Sequence, residues 1–280
     1  MEMSTNVCLV TGGTSGVGKS IAKELARSGA TVILVSHDAA RGAAAAEELR
    51  AHSGHDRIES ITADLSSMES VRALADSVRK KHDALHVVSN NAALLTMTRR
   101  VTPEGVEAIF AANYLGHFLL ASLLMDMLKA SAPARVLTVS GTPGGIARVR
   151  PRFDDPAGER GWSPLNATLK AALAKVLFSL ELARRLEGSG VTSNTFHPGL
   201  VRSSLASHLP WYLRIPASLA SIFFSAESAT GCYLALSPEV EGVTGSFFSG
   251  RKAVPFTPPY DTREAAQALW ESSARLCGLR

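Results

Sequence analysis

Glycines at positions 12, 16 and 18 stand directly after the apolar run Val7-Cys8-Leu9-Val10-Thr11 and directly before a helical pattern through Ile21 and Leu25. A short apolar run of this kind reads as a buried parallel strand, so the local order is strand, glycine turn, helix. Gly12, Gly16 and Gly18, with Thr14, Ser15 and Val17 between them, let the backbone turn tightly and approach a pyrophosphate. The phosphate charge then meets the positive N-terminus of a helix over about residues 16 to 28. The spacing is TGxxxGxG, and its place after the first strand separates it from the glycines of ordinary turns.

The next strand-like run, Thr31-Val32-Ile33-Leu34-Val35-Ser36, is followed by His37 and Asp38. An acidic residue closing this strand would hold adenosine ribose hydroxyls and repel a 2′-phosphate. Ser36 occupies that place, which favours NADP(H) over NAD(H). His37, Arg41 and Lys19 are the cations within reach of such a phosphate, His37 being a weaker clamp than an arginine because it is mostly neutral near pH 7. Asp38 reads as the cap of the following helix.

These residues need a frame. Strand-like runs near 7–11, 31–36, 58–62, 85–89, 134–140, 191–196 and 244–249 alternate with helical patterns, which predicts an α/β, Rossmann-type, doubly wound parallel sheet. With 280 residues, 46% of them hydrophobic and 19% charged, the chain is large enough for one domain and needs no second. Ala43 to Ala46 reads as the surface of a good helix.

The net charge of +4 is spread along the chain, without the basic stripe and interleaved aromatics of a nucleic-acid binder. Cys8, Cys232 and Cys277 have no paired spacing, which argues against a metal site or disulfide framework and for a reducing, cytoplasmic compartment. They read as buried small apolar side chains. Met1 to Thr5 lead straight into the first strand, so no leader is expected. The apolar stretch 209–224 contains Pro210, Arg214 and Pro216 and is not read as a membrane span.

Together with Ala63-Asp64-Leu65, Asn90-Asn91-Ala92-Ala93, Asn113-Tyr114-Leu115-Gly116-His117-Phe118, the run Val176 to Ala183, His197-Pro198-Gly199-Leu200-Val201-Arg202-Ser203 and Ser237 to Gly245, the glycine turn resembles the short-chain dehydrogenase/reductase superfamily. Within it, the order of motifs is similar to the branch of retinol dehydrogenases and WW-domain oxidoreductases, and the resemblance runs almost end to end. It implies Asp64, with Leu65, beside the adenine, Asn90 and Ala92 in the turn beneath the cofactor, and Pro198, Gly199, Leu200 and Ser203 around the nicotinamide. Ala93 departs from the family glycine. The resemblance also implies a substrate lid near 200–225, in which Trp211 and Tyr212, with Leu213, Ile215, Phe223 and Phe224, would line a pocket for a bulky apolar or aromatic molecule. A peripheral membrane contact and an amphipathic helix pair packed on the sheet are the rival readings of that stretch. Helices near 105–130 and 162–188 form dimer faces in many relatives, which implies a homo-oligomer by analogy.

In that family a serine, a tyrosine and a lysine, helped by an asparagine, reduce a carbonyl. Setting Val176-Leu177-Phe178 in register puts Thr168 and Ala172 at the YxxxK positions, and Gly141 where the second serine of the preceding strand end is expected. No tyrosine lies between residues 115 and 211 to rescue the pattern, and Lys170 lies about 200° around the helix from the lysine position, as a surface or interface residue. Asn113, Ser140, Thr142 and Thr168 remain as the groups able to polarise or orient a carbonyl, but hydroxyls of this kind are poor acids. The expected activity is therefore an atypical NADPH-dependent ketoreductase whose substrate, such as an aromatic polyketide of an antibiotic pathway, brings its own proton. A non-redox cyclase or isomerase and an NADP-binding pseudoenzyme are the alternatives.

Overall fold

A computed structural model describes residues 3–199 and 228–279. The chain builds an eight-stranded sheet in the order β3-β2-β1-β4-β5-β6-β7-β8. Its strands are β1 (Val7–Thr11), β2 (Thr31–Ser36), β3 (Ile58–Thr62), β4 (Val87–Asn90), β5 (Ala134–Val139), β6 (Val191–His197), β7 (Phe247–Ser249) and β8 (Lys252–Val254). All pairings are parallel except the last, an antiparallel hairpin of β7 and β8 turning through Gly250 and Arg251. The strand β8 escapes sequence reading because it is a half-exposed edge of three residues with no apolar run. The parallel sheet and its alternation with helices stand as expected.

Strand alternation divides the core in two. Leu9, Val88 and Val136 face a layer of helices α3 (Met68–Lys81), α5 (Gly116–Leu123), α8 (Pro164–Arg185) and α10 (Thr262–Leu276). Val10, Val87 and Leu137 face α1 (Gly16–Arg27), α2 (Ala39–Ser53) and α9 (Ala229–Leu236). Burying both faces explains why the central strands read as continuous apolar runs. Asp38 caps α2 as its position suggests, its Oδ1 accepting the Arg41 amide at 2.9 Å. The alanine run is only half surface: helical period turns Ala45 and Ala46 into the core while Ala43 and Ala44 stay exposed.

The region 105–130 departs from one simple helix. A single turn, α4 (Ala108–Phe110), widens into a π-helical turn over Ala111–Leu115 before α5, and the chain breaks again at Leu124 before α6 (Met125–Ala130). Such widened turns occur often at functional sites, and this one carries Asn113. A short helix, α7 (Pro143–Ile146), follows β5. Cys8 and Cys277 are buried, Cys232 is partly so, and none of the three is in a disulfide. No helix among the described residues is long and apolar enough to cross a membrane.

Candidate active site

The carboxyl ends of β1, β4, β5 and β6 converge on one edge of the sheet, the edge where open α/β folds bind ligands. At the end of β1, Gly12 takes φ +63°, and a Cβ there would stand 2.8 Å from the Ala92 Cα. The turn after β1 and the turn after β4 therefore touch through backbone alone. Ser15, in extended conformation, opens α1, whose first residue is Gly16.

Thr11 ties these turns together. Its Oγ1 accepts the Asn91 amide at 2.9 Å and the Ala92 amide at 3.1 Å, and meets His117 Nε2 at 3.0 Å. The other ring nitrogen, Nδ1, lies 3.1 Å from the Asn113 carbonyl, which can only accept. Burial holds the His117 pKa down to about 3, so the ring is neutral and carries a single N–H. That proton must sit on Nδ1, so Nε2 accepts from the Thr11 hydroxyl. The π-helical turn, the glycine turn and the Asn90–Ala92 turn are thereby one hydrogen-bonded unit.

At the adenosine end, the Ser36 hydroxyl is buried and occupied with Asp38, donating to its carbonyl at 2.9 Å and accepting its amide at 3.2 Å. His37 and Arg41 are exposed. Lys19 instead pairs with Glu48 at 2.6 Å, across α1 and α2. Asp64 is exposed, and its Oδ1 accepts both the amide and the hydroxyl of Ser66. Asn90 is fully buried in β4; its Nδ2 donates to Thr138 Oγ1 at 3.4 Å, while its Oδ1 has no partner.

Of the residues suggested for proton chemistry, Asn113, Ser140 and Thr168 already donate to backbone carbonyls. Asn113 grips Leu94 at both backbone groups, Oδ1 accepting the amide at 2.5 Å and Nδ2 donating to the carbonyl at 3.0 Å. Ser140, after β5, donates to the Ala172 carbonyl at 2.9 Å. Thr168 donates one turn back to the Pro164 carbonyl at 2.7 Å, near the start of α8, whose cap is Ser163. Thr142 is exposed ahead of α7. A Cβ at Gly141 would meet Ile146 Cδ1 at 3.4 Å, an ordinary contact, so packing does not forbid a serine there.

Lys170, expected as a surface or interface residue, is held by contacts within the fold. It is half-buried, donates to the Asp155 carbonyl at 2.8 Å and lies 5.2 Å from the Phe110 ring centroid. Burial lowers its pKa, outweighing the nearby Asp155 and Asp154. Pro198 and Gly199 follow β6, Gly199 with φ +79°. Leu200, Ser203, Trp211, Tyr212 and the lid expected over 200–225 lie outside the described residues. Sequence reading left the hydroxyl of Thr11 and the side chains of His117 and Lys175 without roles. A lysine inside the apolar run Ala171 to Phe178 was the signal available for the last.

The chain belongs to the short chain dehydrogenase family, whose model matches residues 6–151. It is 36% identical to retinol dehydrogenase 12 of Bos taurus, with 100% of this chain and 89% of the relative covered. It is also 35% identical to the polyprenol dehydrogenase of Homo sapiens, covering 98% and 85%. Among solved structures it resembles an uncharacterized protein of Mycobacterium paratuberculosis (TM-score 0.74, 29% identity, 100% and 96% covered). It resembles also the RhlG/NADP active-site complex of Pseudomonas aeruginosa (TM-score 0.67, 26% identity, 88% and 95% covered). As a family member it is an NAD(P)-dependent oxidoreductase, and its residues fit a dinucleotide: a glycine turn packed bare against the Ala92 backbone at the start of α1, and a buried, unpartnered Asn90 Oδ1 at the end of β4.

Proposed function

We propose that this protein is an NADPH-dependent ketoreductase without a tyrosine acid, acting on a bulky aromatic or polyketide-like ketone that supplies its own proton. The observation that carries this reading is that three of the site's four polar side chains already donate within the fold, and the fourth, Thr142, is a poor acid. The Asn113 amide and the Ser140 and Thr168 hydroxyls each donate to a backbone carbonyl, and Ala172 and Gly141 offer no functional group.

Hydride comes from the reduced nicotinamide when it is bound. Gly12, Thr14, Ser15, Gly16, Val17 and Gly18 hold the pyrophosphate against the start of α1, with Asp64 and Leu65 beside the adenine and Asn90 and Ala92 beneath. Exposed His37 and Arg41 take the 2′-phosphate that Ser36 tolerates. Pro198, Gly199, Leu200 and Ser203 wall the nicotinamide. Asn113, Ser140 and Thr168 shape the carbonyl pocket, the exposed Thr142 hydroxyl orients the carbonyl, and a lid over 200–225 with Trp211 and Tyr212 keeps water out. A missing general acid costs about 10²- to 10⁴-fold in rate. A phenol hydrogen-bonded to the ketone recovers this by polarising the carbonyl and delivering the proton to the developing alkoxide. The same reading makes this a cytoplasmic enzyme that self-associates through the helices flanking the site. The names of its relatives support a large apolar alcohol or ketone as the substrate class.

The test is a pair of substrates. NADPH oxidation is followed with a ketone bearing an adjacent hydrogen-bonded phenol and with its methyl ether. The phenol should turn over and the ether should not, by more than the roughly 1 to 3 kcal/mol that one misfitting methylene costs. Equal rates, or efficient reduction of simple aliphatic ketones, would overturn substrate assistance.

A further inference from the structure

Along the sheet face covered by α8, the ends of the strands carry a polar row. Asn90 pairs with Thr138 and Thr138 with Thr195 in register, and Thr11 stands on the same face of neighbouring β1. All four are at most 2% exposed. Above this row, inside the apolar run of α8, lies Lys175, 7% exposed. It is close enough to His117 for its charge to depress that ring's pKa further.

Helical geometry aims this lysine at the cofactor edge. Lys175 follows Ala172 by three residues and Thr168 by seven, so all three share one face, with about 4.5 Å of rise between 172 and 175. Side chains tilt towards the N-terminus of their helix, and the N-terminus of α8 lies at the site. A lysine stem spans that rise, which carries the ammonium back to the level of Ala172. No hydrogen-bond partner meets it among the described residues, and it is absent from the fully enclosed orphan atoms, which include Asn90 Oδ1. A buried, unpaired cation is costly in the fold alone.

We propose that Lys175 is the positioning cation of the cofactor site, acting from one turn further along α8 than the lysine of the family pattern and gaining its counter-charge only when an anionic dinucleotide binds. This rests on the dinucleotide-binding reading above. The ionisable groups on the elements packed against α8 are His117, Tyr114, Glu107, His197, Arg135 of β5, and Arg263, Glu264, Glu271 and Arg275 of α10. Arg135 turns to the opposite face of the sheet and donates to the Leu234 and Ser237 carbonyls. Glu107 is spent capping α4 through the Ile109 and Phe110 amides, and the Tyr114 hydroxyl meets Ser273 Oγ at 2.6 Å. Burial alone brings Lys175 down to about 8, so no neighbouring acid restores its charge. A bound anion restores it, and by linkage binding above that pH takes up a proton.

The experiment is a titration with NADPH by nicotinamide fluorescence from pH 6.5 to 9.5, with calorimetry in two buffers to count protons. It is run on the wild type and on Lys175→Met, which keeps the stem without the charge. In parallel, the wild-type protein with isotopically labelled lysine reports the Lys175 titration directly with and without NADP. The wild type should lose about tenfold in affinity across the alkaline range with uptake approaching one proton. Lys175→Met should bind about tenfold more weakly at pH 7 with a flat profile. The Lys175 signal should titrate higher when the dinucleotide is bound. Binding by Lys175→Met with wild-type strength and pH profile, or an unmoved Lys175 signal, overturns the inference while the oxidoreductase reading stands. No binding of NADPH by the wild type overturns both.

Discussion

The two sides of the cleft solve opposite problems. Around Gly12 and the Asn90–Ala92 turn, the surface is bare backbone held in place by buried side chains such as Thr11 and His117. Around Ser140 and Thr168 the polar side chains are present, but each satisfies a carbonyl of its own fold. A site that keeps its binding surface and spends its proton donors on structure can still orient a reaction that needs no acid from the protein. The two halves should therefore respond to mutation very differently.

The largest effect is expected on the backbone side. Gly12→Ala forces a left-handed residue and a clash with the Ala92 Cα, a strain of about 1 to 3 kcal/mol, so NADPH affinity should fall about 10- to 100-fold with thermal stability falling in parallel. Unchanged binding would show that the cradle lies elsewhere.

Asn113→Ala tests which side the asparagine serves. It removes both bonds to Leu94 and should cost about 2 kcal/mol in urea unfolding. A loss of kcat without any loss of stability would return Asn113 to the chemistry. Ser36→Asp places a carboxylate against the 2′-phosphate, and the preference for NADPH over NADH should reverse by about tenfold in dissociation constants. Equal affinities of the wild type for both would remove the basis of that prediction.

His117 links the halves, and its protonation should unfasten them. Its pKa of about 3 in the fold lies below its ordinary 6.5, so the unfolded chain binds the extra proton. Stability should accordingly be lost as pH falls from about 6.5 towards 3, at up to about 1.4 kcal/mol per pH unit. His117→Gln should show a shallower acid slope by chemical denaturation at several pH values. The smallest effect is expected at Thr168→Ala, whose hydroxyl only returns to Pro164. Its kcat should fall less than about tenfold, and a fall near 10³-fold would make Thr168 the missing acid.

What was readable in advance divides along the same line. The parallel sheet, the glycine turn and the Asp38 cap follow from local periodicity and turn chemistry, which short stretches of chain carry by themselves. The edge strand β8 carries too few apolar residues to signal itself. The π-helical turn at Asn113 and the half-buried seat of Lys170 depend on Leu94, Asp155 and Phe110, partners many residues away. The neutral tautomer of His117 needed the positions of Thr11 and the Asn113 carbonyl, which no spacing in the chain reveals.

Gly116 opens α5 where a Cβ would fall 2.1 Å from the Leu65 carbonyl. The loop expected at the adenine and the helix bearing His117 are thus seated on each other with no side chain between them, like two machined faces without a shim. Any residue larger than glycine would lever α5 outward and carry Asn113 and His117 with it. Efforts to reshape this enzyme for other substrates can vary the rim freely, but they inherit position 116 as the datum from which the depth of the cleft is gauged.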